Sequence, residues 1–225
     1  MPNWTSNRIE APAEVLKKYT GFDKDGTMFF DFNKVIPRPE VYNDPEMSSG
    51  YDTDLCIYWY LSGKGKKRNV SKMVVDELKY PSKTFEDVLK RELYSSWSKG
   101  WDDVIQRCLA HSDEYYRRGK KYVDAYKKYG HTTWYDWSVT NWGTKWNACD
   151  SYFDFSNEES EWVEFETAWC FPEPIFKKIM DDNPGCRIAF YWTDEDYDGN
   201  HSMIRNEDGT ISVNCVFDPH HYDED

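Results

Sequence analysis

The sequence lacks closely spaced cysteine pairs, long apolar runs and glycine-rich phosphate loops, and its last third carries few basic residues. Each absence removes a class of protein. Cys56, Cys108, Cys149, Cys170, Cys186 and Cys215 are dispersed, without a CxxC pair or the spacing of a zinc site or secreted disulfide framework. They read as reduced, mostly buried thiols, with no disulfide-linked partner. No window approaches the ~18 apolar residues of a membrane span, and MPNWTSNRIE is not a basic segment followed by an apolar one. The expectation is a cytoplasmic protein without a membrane partner. GxGxxG and P-loop strings are missing, so a nucleotide cofactor has no support. His111, His131, His201, His220 and His221 stand in no motif with serine, cysteine or a carboxylate, although His131 with Asp136 is a conceivable orienting pair. No catalytic residue, cofactor or metal is expected.

What is present is aromatic and charged. Aromatics make up 18% of the 225 residues and charged residues 31%, a composition that opposes disorder and implies a core built on Trp, Tyr and Phe. Charge is unevenly placed. Residues 150–225 hold 20 acids and 4 bases, a net −16, whereas residues 1–149 hold 21 acids and 24 bases, a net +3 within the total of −13. The C-terminal part should repel nucleic acid and attract basic partners, unless its carboxylates are scattered solubilising charge.

Along the chain, Asn3–Ile9 reads as a strand, Pro12–Tyr19 as a proline-opened helix and Thr27–Phe32 as a second strand. The apolar run 54–62 has strand propensity, and Lys64–Arg68 reads as a charged loop. Residues 84–129 turn helical, with Thr84 and Asp87 as a cap pair and Gly130 as the stop. Strict alternation predicts a strand over Trp162–Trp169, PEPIFKKIMDDN a short helix, and Cys186–Thr193 another strand; Ile204 and Ile211–Phe217 would add a hairpin. Two β-α-β units separated by an insertion imply an α+β, ferredoxin-like fold: a split β-α-β arrangement, an antiparallel sheet with helices on one face, and a large, mostly helical insertion. The expected divisions are 1–40, a helical and basic 41–133, and 134–225 carrying an aromatic segment, the acidic second unit and the hairpin.

NWTSNRIEAP (3–12), FDFNKVIPRPE (30–40), YDWSVTNWGTKWNA (135–148), FETAWCFPEPIF (165–176) and FYWTDEDYDGN (190–200) together resemble the phage and plasmid family called YubB-like or Api92-like. Thr5 stands where the family pattern has cysteine. The resemblance implies the ferredoxin-like fold and a mobile-element origin, and no established reaction.

Three groups of residues are candidate sites. The first is acidic: Glu164, Glu166, Asp194, Glu195, Asp196 and Asp198, suited to a protein partner with a basic surface, such as a host nucleic-acid-handling or defence complex. Asp194–Gly199 also copies the first half of an EF-hand, but Arg205 occupies the position of its closing Glu. The second is basic: Tyr116, Arg117, Arg118, Lys120 and Lys121, able to meet phosphates and stack on bases if the protein binds nucleic acid directly. The third is aromatic: Trp134, Trp137, Trp142 and Trp146, spaced as a helical stripe for the core or as a stacking surface. Asp154, Glu164, Glu166 and Asp194 are the carboxylates that a metal-dependent enzyme would have to converge in space.

Overall fold

The computed structural model describes residues 3–47, 50, 52–65, 101–156, 161–194 and 201–215. The elements run β1 (Trp4–Glu10), α1 (Ala13–Lys18), β2 (Thr20–Phe22), β3 (Met28–Phe30), α2 (Phe32–Val35), α3 (Thr53–Leu61), α4 (Trp101–Ala110), α5 (Ser112–Tyr129), α6 (Trp134–Trp142), β4 (Cys149–Asp154), β5 (Trp162–Ala168), α7 (Glu173–Asp182), β6 (Ile188–Asp194), β7 (His201–Arg205) and β8 (Ile211–Cys215). They divide into two compact units, 1–38 with 138–225, and 39–137.

The first unit is built on an antiparallel six-stranded sheet in the order β4-β5-β1-β6-β7-β8. Strand β1 lies between β5 and β6, which makes β1-α1-β4 and β5-α7-β6 two interleaved β-α-β halves, the ferredoxin-like arrangement. The hairpin β7–β8, turning at Asn206–Thr210, extends it at one edge. Alternation in β5 buries Val163, Phe165 and Thr167 on one face, and register brings Ile9 and Phe190 to the same side. Phe176 of α7 stacks on Phe190 with centroids 3.9 Å apart, and Phe30 stacks on Phe165 at 4.9 Å. This aromatic layer is the core that the composition implies.

Two readings of the sequence need correction. Thr27–Phe32 is a strand only over Met28–Phe30, and it pairs with β2 in a separate two-stranded sheet. The Asp31 carboxylate accepts the N–H of Asn33 and caps α2, which stops the strand before Phe32. The strand that completes the first half is β4, beyond the helical segment. The run 54–62 is not a strand: all but its last residue belong to helix α3, Thr53–Leu61, and Ser62 caps it. Seven of its nine side chains are buried, so no helical period is written into the run. The segment 84–100, including the Thr84–Asp87 cap, and Lys66–Arg68 lie outside the described residues.

In the second unit α3 packs on α5 at Gly119. A Cβ there would stand 1.9 Å from the carbonyl oxygen of Cys56, so only glycine permits this approach. Arg118, beside it, donates to both carboxylate oxygens of Asp52, at 2.6 and 3.1 Å, and to the Tyr122 hydroxyl at 3.2 Å. Burial acts to lower the Arg118 pKa, but its hydrogen bonds to Asp52 and Tyr122 outweigh it and the net shift is upward. Gly130 ends α5 in the left-handed conformation, φ 78°.

Several of the strings behind the family resemblance are joints of the first unit. Asn147 Oδ1 accepts the N–H of Phe32 while its amide donates to Asp31, at 2.8 Å each. The Trp142 indole donates to Ile36 O, and the Thr144 hydroxyl to Ala168 O. Gly143, at φ +83°, lies where a Cβ would come 2.9 Å from Pro174 Cδ.

Candidate functional site

The sheet has a second face. Residues that alternate with the core side present Ser6, Arg8 and Glu10 on β1, Trp162, Glu164 and Glu166 on β5, Tyr191 and Thr193 on β6, and Tyr152 and Asp154 on β4. Asp150, at φ 46° in the irregularity of β4, completes it; aspartate tolerates this conformation better than most residues. Arg8, Asp150, Tyr152, Glu164, Glu166 and Tyr191 line a depression of about 520 Å³ on this face. Tyr152 is 67% exposed beside it. At the register positions of these four strands, Glu10, Asp150, Asp154, Glu164 and Glu166 share the face with one guanidinium, Arg8.

That cation is already engaged. Arg8 donates to Glu164 at 3.0 Å and to Glu10 at 3.1 Å, and lies 4.5 Å over the Trp162 ring. Glu166 and Asp150 form no ion pair among the described residues. Carboxylates and tyrosines, with Phe165 and Trp192, line the depression.

The acidic candidates divide between the two faces. Glu164 and Glu166 lie together, whereas Asp194 pairs in register with Thr5 and accepts its hydroxyl at 2.6 Å on the core side, among Asn7 and Thr167. Glu195, Asp196 and Asp198 lie outside the described residues. Arg205 donates to the carbonyls of Met180 and Asn183 at the end of α7, a structural task in place of a calcium ligand. Asp154 accepts from Ser156 and does not converge with Asp194. Asp136 accepts from the Thr132 and Thr133 hydroxyls, while His131 offers its carbonyl to Tyr42, so the orienting pair is not formed through these bonds.

The basic candidates are matched by acids within their own unit. Arg117 pairs with Glu46 at 2.7 Å, Lys121 with Asp44 and Glu46, Lys120 with Asp124, and Arg118 with Asp52. Tyr116 packs edge-on against Tyr60 with the Lys64 ammonium 5.5 Å over its ring. Hydrogen bonds from Lys121 hold the Asp44 and Glu46 carboxyls below their ordinary values. Because these folded-state values lie below the unfolded ones, the pairing stabilises the fold above the ordinary carboxylate pKa of about 4 and is lost as pH falls through the folded-state values. Lys121→Met should return both carboxyls upward in an NMR pH titration; unchanged titration would contradict the pairing.

The tryptophans do not act as one stripe. Trp137 and Trp142 are buried, against Tyr42 and Phe32 respectively, and Trp134 lies edge-on to Tyr135. Trp146, beyond α6, is exposed and contacts Trp4. Among the cysteines, Cys56 and Cys108 are buried and Cys170 is exposed; burial pushes the Cys56 thiol up to about 12, which makes it unreactive.

Strands β4 to β8 and helix α7 have a counterpart among known families. The family model for the ferredoxin-like domain in Api92-like protein matches residues 141–218. The Api92-like resemblance is supported over that part of the chain, which contains β4 to β8 and α7. A crystal structure of a protein api92 from Yersinia pseudotuberculosis aligns with 97% of this chain and 99% of its own, at 10% identity and a TM-score of 0.43. No curated protein matches the sequence. Glu164 and Glu166 lie within the matched residues; Arg8 and Glu10, on the adjoining β1, precede them. Among the described residues, no helix is long and apolar enough to cross a membrane.

Proposed function

We propose that this chain is a non-enzymatic accessory protein of a phage or plasmid that acts in the bacterial cytoplasm. It binds the basic surface of a host nucleic-acid-handling or defence complex, in the manner of an anti-CRISPR protein. The observation that supports this reading is the shared face of Glu164, Glu166 and Asp150, whose one neighbouring guanidinium, Arg8, is already held by Glu164 and Glu10.

Carboxylates on a rigid sheet repeat at about 6.5–7 Å along a strand and about 4.8 Å between strands, a fixed array of negative charge. Such an array can occupy a channel that holds nucleic-acid phosphates, and Tyr152 and Tyr191 supply contact area at small entropic cost. Affinity comes from the match to a basic partner, and the association rate from steering by the net charge of −13.

The test is affinity capture from bacterial lysate, identification of the bound complex and titration of its binding against salt. Binding that weakens steeply between 50 and 200 mM salt, by roughly tenfold or more, is expected for a surface of this charge. A complex indifferent to salt, or direct binding of nucleic acid by the isolated chain, would remove this reading.

A further inference from the structure

Lys145 lies between two indoles. Its ammonium is 3.8 Å from the ring centroid of Trp146 and 3.7 Å from that of Trp169. Both rings are open to solvent, 39% and 49% exposed, while neighbouring residues of the same segments are used to hold the fold.

The arrangement is built from fixed parts. The Thr144 hydroxyl donates to Ala168 O at 2.9 Å, which joins the two segments immediately before Lys145 and Trp169. Trp169 has φ 73°, a left-handed conformation that a bulky residue rarely adopts, and its N–H donates to Asn3 O at 2.9 Å. Trp4 packs against Trp146 in a tilted arrangement, with centroids 6.1 Å apart. The left-handed residue lies in the turn that follows β5, where the Thr167 hydroxyl also donates to Cys170 O at 2.8 Å, so the backbone that carries this indole is held in place.

We propose that Trp146 and Trp169 form a clamp for an organic cation, that Lys145 is its resident occupant, and that an arginine side chain of a basic partner protein takes its place. Indole faces carry negative potential and attract cations. A guanidinium is planar and more weakly hydrated than an ammonium, so it loses less on leaving water and stacks better between two rings. The net charge of −13 favours the approach of such a partner. The identity of the occupant rests on the basic-partner reading above, and the clamp itself does not.

N-acetylarginine methylamide, titrated against the full chain and followed by tryptophan fluorescence and indole N–H resonances, separates the two. Lys145→Ala, which vacates the clamp, should bind this probe roughly tenfold more tightly than the unmodified protein, the equivalent of about two exposed cation–π contacts. Trp169→Ala or Trp146→Ala in the Lys145→Ala background should abolish saturable binding with unchanged far-UV circular dichroism. If one of these fails to fold, the other decides. Equal titrations with and without Lys145, or binding that survives loss of an indole in a folded variant, would overturn the clamp. Loss of the clamp with salt-sensitive capture intact would leave the acidic face standing as the binding surface.

Discussion

Gly119→Ala is expected to destabilise the second unit by about 3 kcal/mol or more, read as a lower denaturant midpoint of the full chain. Alanine would raise the helix propensity of α5 by about 1 kcal/mol, and elsewhere on the helix that gain would decide the sign. Here the new Cβ meets the Cys56 carbonyl oxygen at 1.9 Å, its carbon at 2.6 Å and the Tyr60 Cβ at 2.8 Å. Two of these atoms are backbone, so no side-chain rotation relieves the clash and α3 has to move off α5. That separation opens the interface around Leu55, Cys56 and Tyr122, each fully buried. A variant as stable as the parent would show that the helices do not approach as closely as described.

The second large effect concerns Arg118. Asp52→Ala should cost about 3 kcal/mol, because it leaves a guanidinium with only 11% side-chain exposure short of its main counter-charge. Glu114, at 3.4 Å, and the Tyr122 hydroxyl offer partial compensation. Removing both charges is a different matter. Asp52→Ala combined with Arg118→Met should be less destabilised than the sum of the single changes by roughly 1–3 kcal/mol, since no unpaired charge remains buried. Strict additivity in denaturant unfolding would mean that the pair is uncoupled.

Much of the sheet unit could be read directly from residue patterns, because each of its elements has one buried side. Trp162–Ala168 alternates as a half-buried strand must, and α7 opens on prolines and shows Ile175, Phe176 and Ile179 at helical spacing. Helix α3 was hidden for the opposite reason: with burial on nearly every side, TDLCIYWYL carries no period, and its partner residue Gly119 lies far along the chain. Strand β4 was also missed. It is an edge strand with a register shift between Cys149 and Tyr152 and an exposed tyrosine, so Phe30-Asp31-Phe32 looked the better candidate.

The same logic separates the candidate site residues. Glu164 and Glu166 could be placed on one face by their spacing of two within β5. Asp194 could not, because register between β6 and β1 sets its side, and that pairing joins residues almost the whole chain apart. The basic run of α5 looked available for phosphate because its counter-ions, Asp44, Glu46 and Asp52, come from a distant segment of the second unit. Trp146 and Trp169 share no motif, and the Thr144 bond to Ala168 is what brings their segments together.

The most direct test of the account compares the two faces of the sheet. Binding of the captured partner complex is measured by calorimetry at one low salt concentration for Glu164→Gln with Glu166→Gln, and separately for Asp194→Asn, whose carboxylate is held on the core side by Thr5. The account predicts a loss of at least tenfold in affinity for the paired glutamine variant, with Asp194→Asn within about threefold of the parent once both are shown to be folded. Parental affinity in the folded glutamine variant would contradict it.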